Sequence, residues 1–559
     1  MKTKILIAAL LIIGVVSCKN RDEMELNKII KESQEYLQPL NKEAALAYWM
    51  GTTTGDGSYF DKYSELNIKI SNFYSDSSLF SKLKTIRERG KIQEPALQRQ
   101  LEILYNNTLS NQVEKSLIEE IINKTSALEQ KYASFRANLR GKRVSDNEIE
   151  RVLQNSTDNS ELKDAWLAHK EIGVLVSQDI IELVKLRNRV AVELGFQNYH
   201  SMSLTLSGQD PNEVSALFDE LDSLTKDSFD SVKDEMDEIF AKRYEVNKSL
   251  LMPWHYQGRF FQESPQIYPV DLDSYYKGRD IAEISAKFYE SIGLETRGVI
   301  ANSDLFEREG KNQHAYCIDI DTKGDVRVLV NLSDTEQWMG TMLHELGHAV
   351  YSLGHSYEEL PYFLRNAAHP FTTEAVAMIF GRLSRNPEWM EKMLDIEKSE
   401  IEKIKENCRK SLVLQQLVFS RWAQVMYRFE REMYNNPDAD LNTLWWELVS
   451  KYQKLTKPAD RDMPDWATKI HIALYPCYYH NYQLGELLAS QMHYYIVDNI
   501  TKSGNHIYDP YINNHEVGKW MKENIFVHGM RYNWNEMIEK ATGERLSAKY
   551  YAMQFVTPK

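Results

Sequence analysis

The stretch His344-Glu345-Leu346-Gly347-His348 decides how this chain is read. On an α-helix, positions i and i+4 lie one turn apart on the same face. His344 and His348 can then aim two imidazole nitrogens at one metal ion. Glu345 lies beside them, within reach of a water at that ion. His-Glu-x-x-His on a helix is the pattern that zinc peptidases use in this way. The flanks predict the helix. Ser333-x-x-Glu336 has the form of a capping box, which satisfies two free amides at a helix start. Trp338, Met339, Met342, Leu343, Leu346, Val350 and Leu353 then recur at helical spacing. Gly347 is expected to remove a side chain beside the metal.

With 14 histidines in 559 residues, chance would supply such a pentapeptide in roughly a few chains per hundred. The motif therefore needs a third ligand. A catalytic zinc takes three protein ligands and keeps a fourth position for water. Downstream, Pro370, Thr372 and Thr373 suit a helix start, and residues 375–380 suit its buried body. Glu374 falls in the expected first turn and is the candidate ligand. The plainer use of a carboxylate there is to stabilise a helix N-terminus, worth about 0.3–1 kcal/mol. His355 and His369 are the rival ligands.

These residues carry a family resemblance. His-Glu-Leu-Gly-His, Tyr351, Leu360-Pro361, Leu364-Arg365 and Thr373-Glu374-Ala375 resemble, in order, the angiotensin-converting-enzyme family of zinc peptidyl-dipeptidases. The gap to Glu374 is slightly longer than is usual there. Lys469-Ile470-His471 resembles the family's Lys-x-His, Tyr479 and Tyr482 are spaced like two family tyrosines, and His314-Ala315 resembles a His-Ala before the active-site strand. The resemblance implies that Lys469 and Tyr479 hold the substrate's C-terminal carboxylate. It implies that His471 and Tyr482 stabilise the oxyanion and that His314 contacts a substrate carbonyl. One zinc ion, short peptide substrates and a helical body lidding a deep channel follow from the same resemblance. Trp445-Trp446 and Pro253-x-His255-x-x-Gly258 are weaker matches and read better as structural.

The departures are specific. The family's Asp four residues after the glutamate ligand, which holds a zinc-binding His, is Met378 here. Such outer partners orient the imidazole, so either another acid replaces it or zinc is held less tightly. Two arginines that bind chloride in the animal enzymes are Asn481 and Val449, which makes chloride activation doubtful. The Gln of the carboxylate pocket falls at Glu263 or at the adjacent Gln262. The block His471…Tyr478…Tyr482-x-x-Gly485 also resembles oligoendopeptidase relatives and adds Tyr478 as a candidate substrate contact.

Peptide hydrolysis needs an activated water, a polarised carbonyl and a proton for the leaving amine. Glu345 suits the proton transfer, and Tyr482 and His471 suit donation to the oxyanion. Plainer uses compete at each position. The chain has 32 tyrosines, so a tyrosine near any site is unremarkable. Lysines are mostly solvated, and a histidine in a core or at a strand start is commonly just hydrogen-bonded.

Tyr316 to Asp321 and Asp325 to Val330 alternate apolar and polar residues around Lys323-Gly324 and predict a β-hairpin. An edge strand there could pair with an extended peptide. Elsewhere long amphipathic helical patterns dominate, such as Val113 to Phe135 and Val214 to Ile239. The fold class expected is mainly α: a large helical zincin-type peptidase over residues 26–559, with a small hairpin at the site and two lobes around a cleft as a variant.

Met1 to Ser17 reads as a secretory signal, with Lys2 and Lys4 before an apolar run too short to span a bilayer. Val15-Val16-Ser17-Cys18 resembles a bacterial lipobox, which makes Cys18 the candidate lipidation site and residues 18–25 a short tether. A bacterial envelope location follows, in the outer membrane if Lys19 is read as the sorting residue. The remaining Cys317, Cys408 and Cys477 form no disulfide framework. The net charge of −14 argues against nucleic acid, which needs a basic footprint. A monomer is expected. Three functions remain open: a peptidyl-dipeptidase, favoured by Lys469 and Tyr479; an oligoendopeptidase; and a lipid-anchored peptide-binding protein without catalysis.

Overall fold

Long amphipathic stretches become long helices in the computed structural model, which describes residues 21–556. The two patterns singled out above form Lys115–Ser134 and Pro211–Arg243. The described residues are mainly helical, with two small antiparallel hairpins, as expected. The signal segment and Cys18 lie outside the described residues.

Residues 21–25, expected to close the tether, instead open the first helix, Arg21–Thr54. Asp22 is buried and accepts from Arg89 Nη1 at 2.8 Å, and Leu26 is buried as well. These contacts fix the stretch despite its polarity. The first helix packs with Gly57–Tyr74, Ser77–Arg89 and Pro95–Leu109. Together they enclose a small apolar cluster that includes Leu37, Leu83, Leu101 and Leu104 and seats Tyr362 and Phe363. A much larger core fills the rest of the body.

The predicted hairpin forms, with strands Tyr316–Asp319 and Val326–Leu329 in the register Tyr316↔Leu329 to Asp319↔Val326. Asp319 and Asp321 accept the turn amides of Thr322 and Lys323. Asp304 bridges to Leu329 on the second strand, so the other edge of Tyr316–Asp319 has no strand beside it among the described residues. Trp49 of the first helix packs against Ile320 and Leu329.

The motif helix spans Glu336–Leu353, and its cap differs from expectation. Thr335, not Ser333, accepts the Trp338 amide. Glu336 does not reach back; its buried carboxylate accepts from Ser384 Oγ at 2.6 Å and Arg385 Nε at 2.9 Å. The capping-box spacing was satisfied in sequence, but tertiary partners claimed the glutamate.

Three helices set the site: Glu336–Leu353, Pro370–Gly381 and His480–Tyr495. Glycine allows their close approach. A Cβ on Gly347 would fall 2.7 Å from Ala377 Cα. Gly347 therefore faces the neighbouring helix and makes room for backbone, which replaces the expectation that it clears space for the metal. A Cβ on Gly485 would lie 3.2 Å from Met378 Sδ and 3.4 Å from Glu374 Cβ. Cys317, Cys408 and Cys477 are all free thiols.

Candidate active site

The i, i+4 spacing does what it predicts. His344 Nε2 and His348 Nε2 stand 3.2 Å apart. Glu374 Oε2 lies 3.5 Å from the first and 3.8 Å from the second. Glu374 is brought there by the helix Pro370–Gly381, where it is the fifth residue rather than a first-turn one. Neither rival joins the group. His369 caps that helix, with Nδ1 accepting the Phe371 amide, and His355 is buried elsewhere against Tyr351 and Tyr357.

Zinc bonded at about 2.0–2.1 Å with tetrahedral angles separates its ligand atoms by about 3.3–3.4 Å. The three observed separations bracket that spacing, so the donor set fits zinc in size and in chemistry. The electrostatics agree. Burial, then the Glu374 charge, pushes Glu345 up to about 8, and burial pushes Glu374 up to about 7. Burial holds His344 down to about 4; burial and then His344 hold His348 down to about 3. Neutral imidazoles and carboxylates that ionise reluctantly are what a dication between them would stabilise.

The partner of the candidate ligand His348 is a hydroxyl. Its Nδ1 lies 2.8 Å from Thr373 Oγ1, which leaves Nε2 for a metal. Thr373 thus holds one of the two imidazoles, while Met378, where the resemblance led to an expected Asp, turns to a cavity wall with Tyr482.

That cavity, of about 600 Å³, also holds the second half of the constellation: Lys469, His471, Tyr479 and Gln262 line it. Lys469 is buried, and its Nζ donates to Gln262 Oε1 at 2.6 Å. It also rests over the rings of Phe260, Tyr479 and Trp422 at 5.1, 5.4 and 5.5 Å. Burial, then the nearby Arg259, lowers its pKa to about 8. Gln262, not Glu263, therefore completes the pair with Lys469. Glu263 sits next to it, exposed, accepting from Gln262 Nε2 at 3.2 Å.

His471 packs edge-on against Tyr479 with ring centres 5.1 Å apart. Burial, then Lys469, holds it down to about 4, and its buried Nδ1 has no hydrogen-bond partner. Tyr482 packs against both Tyr478 and Tyr479, at 5.4 and 5.3 Å. Burial raises Tyr482 and Tyr478, the latter to about 12, and the Glu374 charge adds to both shifts. With their pKa values raised, these two phenols stay protonated as donors. His314 is set apart from the others: it is exposed, two residues before the strand, with its amide donating to Asn312. Trp446 and His255 are structural, as expected. The Trp446 indole donates to Asp465 at 3.1 Å, and His255 bonds Met252 and Asn159.

Comparison with known proteins agrees with this geometry. A family model described as angiotensin-converting enzyme, a Peptidase_M2 family, matches residues 20–558. The angiotensin-converting enzyme of Haematobia irritans exigua is 21% identical over 522 residues, covering 84% of this chain and 81% of that protein. Those of Mus musculus and Mesocricetus auratus are each 22% identical over 445 residues, covering 74% of this chain. The chain spans only about a third of the length of these two mammalian relatives, of which 32% is covered. A match over nearly the whole chain, together with the His344, His348 and Glu374 donor set, means that this chain belongs to the angiotensin-converting-enzyme family of peptidases.

Proposed function

We propose that this chain is a zinc peptidyl-dipeptidase that removes dipeptides from the free C-termini of short peptides. The observation that carries the reading is the buried Lys469–Gln262 pair, 2.6 Å apart, in the cavity that also holds Tyr482 and His471. A buried ammonium without a carboxylate partner beside a metal group suits a substrate's C-terminal carboxylate.

His344, His348 and Glu374 would hold the zinc. When bound, zinc supplies Lewis-acid polarisation of the scissile carbonyl and acidifies the attacking water. Glu345 is one position from His344 and takes the proton from that water. It then returns the proton to the leaving amine. Tyr482 and the neutral His471 each offer a donor to the developing oxyanion, fixed in place before reaction. Lys469, Gln262 and Tyr479 anchor the terminal carboxylate. The free edge of Tyr316–Asp319 offers backbone groups to an extended peptide, with His314 at the entry of that strand. Lipid attachment at Cys18 would place the enzyme at the cell envelope.

Mass spectrometry of the products from one peptide, offered as free acid and as C-terminal amide, tests the reading. Stepwise dipeptide loss from the free acid is expected, with the amide losing its dipeptide far more slowly. Internal cuts in both forms would move the assignment to an oligoendopeptidase.

A further inference from the structure

The cavity beside Lys469 carries four charged side chains: Lys469, Glu263, Arg385 and Glu486. Two are already committed. Glu486 pairs with the buried Arg382, and Arg385 donates to Glu336 at 2.9 Å. The other two, Lys469 and Glu263, make no ion pair with one another or with any other described residue. They are joined through one amide: Gln262 Oε1 accepts from Lys469 Nζ at 2.6 Å, and Gln262 Nε2 donates to Glu263 Oε1 at 3.2 Å. The Glu263 charge is felt at both Lys469 and Tyr479: it partly offsets the burial that lowers the Lys469 pKa and adds to the burial that raises that of Tyr479.

This layout has a consequence for the substrate. Once a C-terminal carboxylate takes Lys469, Glu263 faces a second negative charge with no ion-pair partner of its own. The group best placed to neutralise it is the side chain on the substrate's own last residue, which branches from the carbon bearing that carboxylate. The cavity has a further acceptor for such a group. Gln416 lines it and is buried, and its Oε1 has no hydrogen-bond partner. Ser264 and Gln266 add neutral polar groups to the same wall.

We propose that Glu263 is a specificity-determining residue that selects peptides ending in arginine or lysine, with Glu263 and Gln416 receiving the cationic side chain while Lys469 holds the carboxylate. The assignment rests on the dipeptide-releasing reading above and deepens it. A C-terminal glutamate or aspartate would meet Glu263 with like charge, so the same residue excludes acidic ends.

Three peptides that differ only in the last residue test this: arginine, citrulline as its neutral isostere, and glutamate. For the zinc-loaded protein, kcat/KM should be about tenfold higher for arginine than for citrulline, a difference of about 1.4 kcal/mol. It should be lowest for glutamate. In Glu263→Gln the arginine-to-citrulline ratio should fall to about two, and in Glu263→Lys the order of arginine and glutamate should reverse. The change should lie mainly in KM, with little in kcat, since the contact is made equally in ground and transition states. Glu263 is exposed, so neither substitution threatens the core. Dipeptide release at equal rates from all three peptides would overturn the Glu263 assignment alone, as would a ratio unchanged in Glu263→Gln. Internal cuts without dipeptide release would overturn the dipeptide reading and this one with it.

Discussion

Lys469 gives the sharpest prediction, because its burial and its task pull in opposite directions. Removing an ammonium from water disfavours the charged form, and its pKa drops to about 8. The protonated form is the one that can hold a carboxylate. With that pKa, about 90% of the free enzyme carries the charge at pH 7 and about 10% at pH 9. kcat/KM for a free-acid peptide should therefore fall about tenfold over this interval through Lys469 alone. Glu345 and other groups also titrate, so the amide of the same peptide serves as the reference. It has no terminal carboxylate and feels every other titration but this one. The ratio of the two kcat/KM values isolates Lys469. In Lys469→Gln the ratio should lose its pH dependence and fall at pH 7 by roughly 10- to 150-fold, from about 1.5–3 kcal/mol for a charged hydrogen bond. If acid and amide track one another from pH 7 to 9.5 in the unaltered enzyme, Lys469 does not bind the C-terminus.

Other outcomes follow from single contacts. Glu345→Gln should keep one zinc per chain by elemental analysis and lose about 10²–10⁴ in kcat; wild-type turnover would remove Glu345 from the proton path. Thr373→Val deletes the hydroxyl 2.8 Å from His348 Nδ1 and should weaken zinc about 10- to 100-fold in a chelator competition, whereas unchanged affinity would make the contact incidental. Gly347→Ala puts a methyl 2.7 Å from Ala377 Cα; calorimetry should show a lower Tm, consistent with about 1–3 kcal/mol of overpacking, and an equal or higher Tm would contradict the close helix approach. Replacing chloride by acetate at constant ionic strength should change kcat/KM less than about twofold, since screening is unaltered and positions 481 and 449 carry asparagine and valine in place of arginine. Asn481 is bonded to Gln209, and beside the buried Val449 the Asp465 carboxylate already holds Arg461 at 2.6 Å. A chloride effect of tenfold or more would refute that.

What could be read from the sequence was mostly what is local. His344, Glu345 and His348 share one helix, so their spacing encodes their geometry. Glu374 was legible because a proline and two threonines mark the start of its helix, and the hairpin because alternation and Lys323-Gly324 mark its turn. Contacts between distant segments left no local trace. Gln262 and Lys469 are 207 positions apart, and the sequence could not decide between Gln262 and Glu263. Thr373 lay beside the ligand it supports, yet a threonine near a helix start reads first as a cap. The capping box at Ser333 and Glu336, and Gly347, were misread for the same reason: each fits a local rule, while the groups that actually meet Glu336 (Ser384 and Arg385) and Gly347 (Ala377) come from distant segments. Residues 21–25 looked like a tether because Arg89, the partner of Asp22, sits two helices further on.

The central claim is that His344, His348 and Glu374 hold one zinc on which peptide hydrolysis depends. The most direct measurement is a zinc titration of the metal-stripped protein, following dipeptide release. Activity should rise linearly and stop at one equivalent, and Glu374→Gln should require far more zinc to reach any activity. Full hydrolysis without added metal in a chelator, or a titration unchanged in Glu374→Gln, would contradict the account.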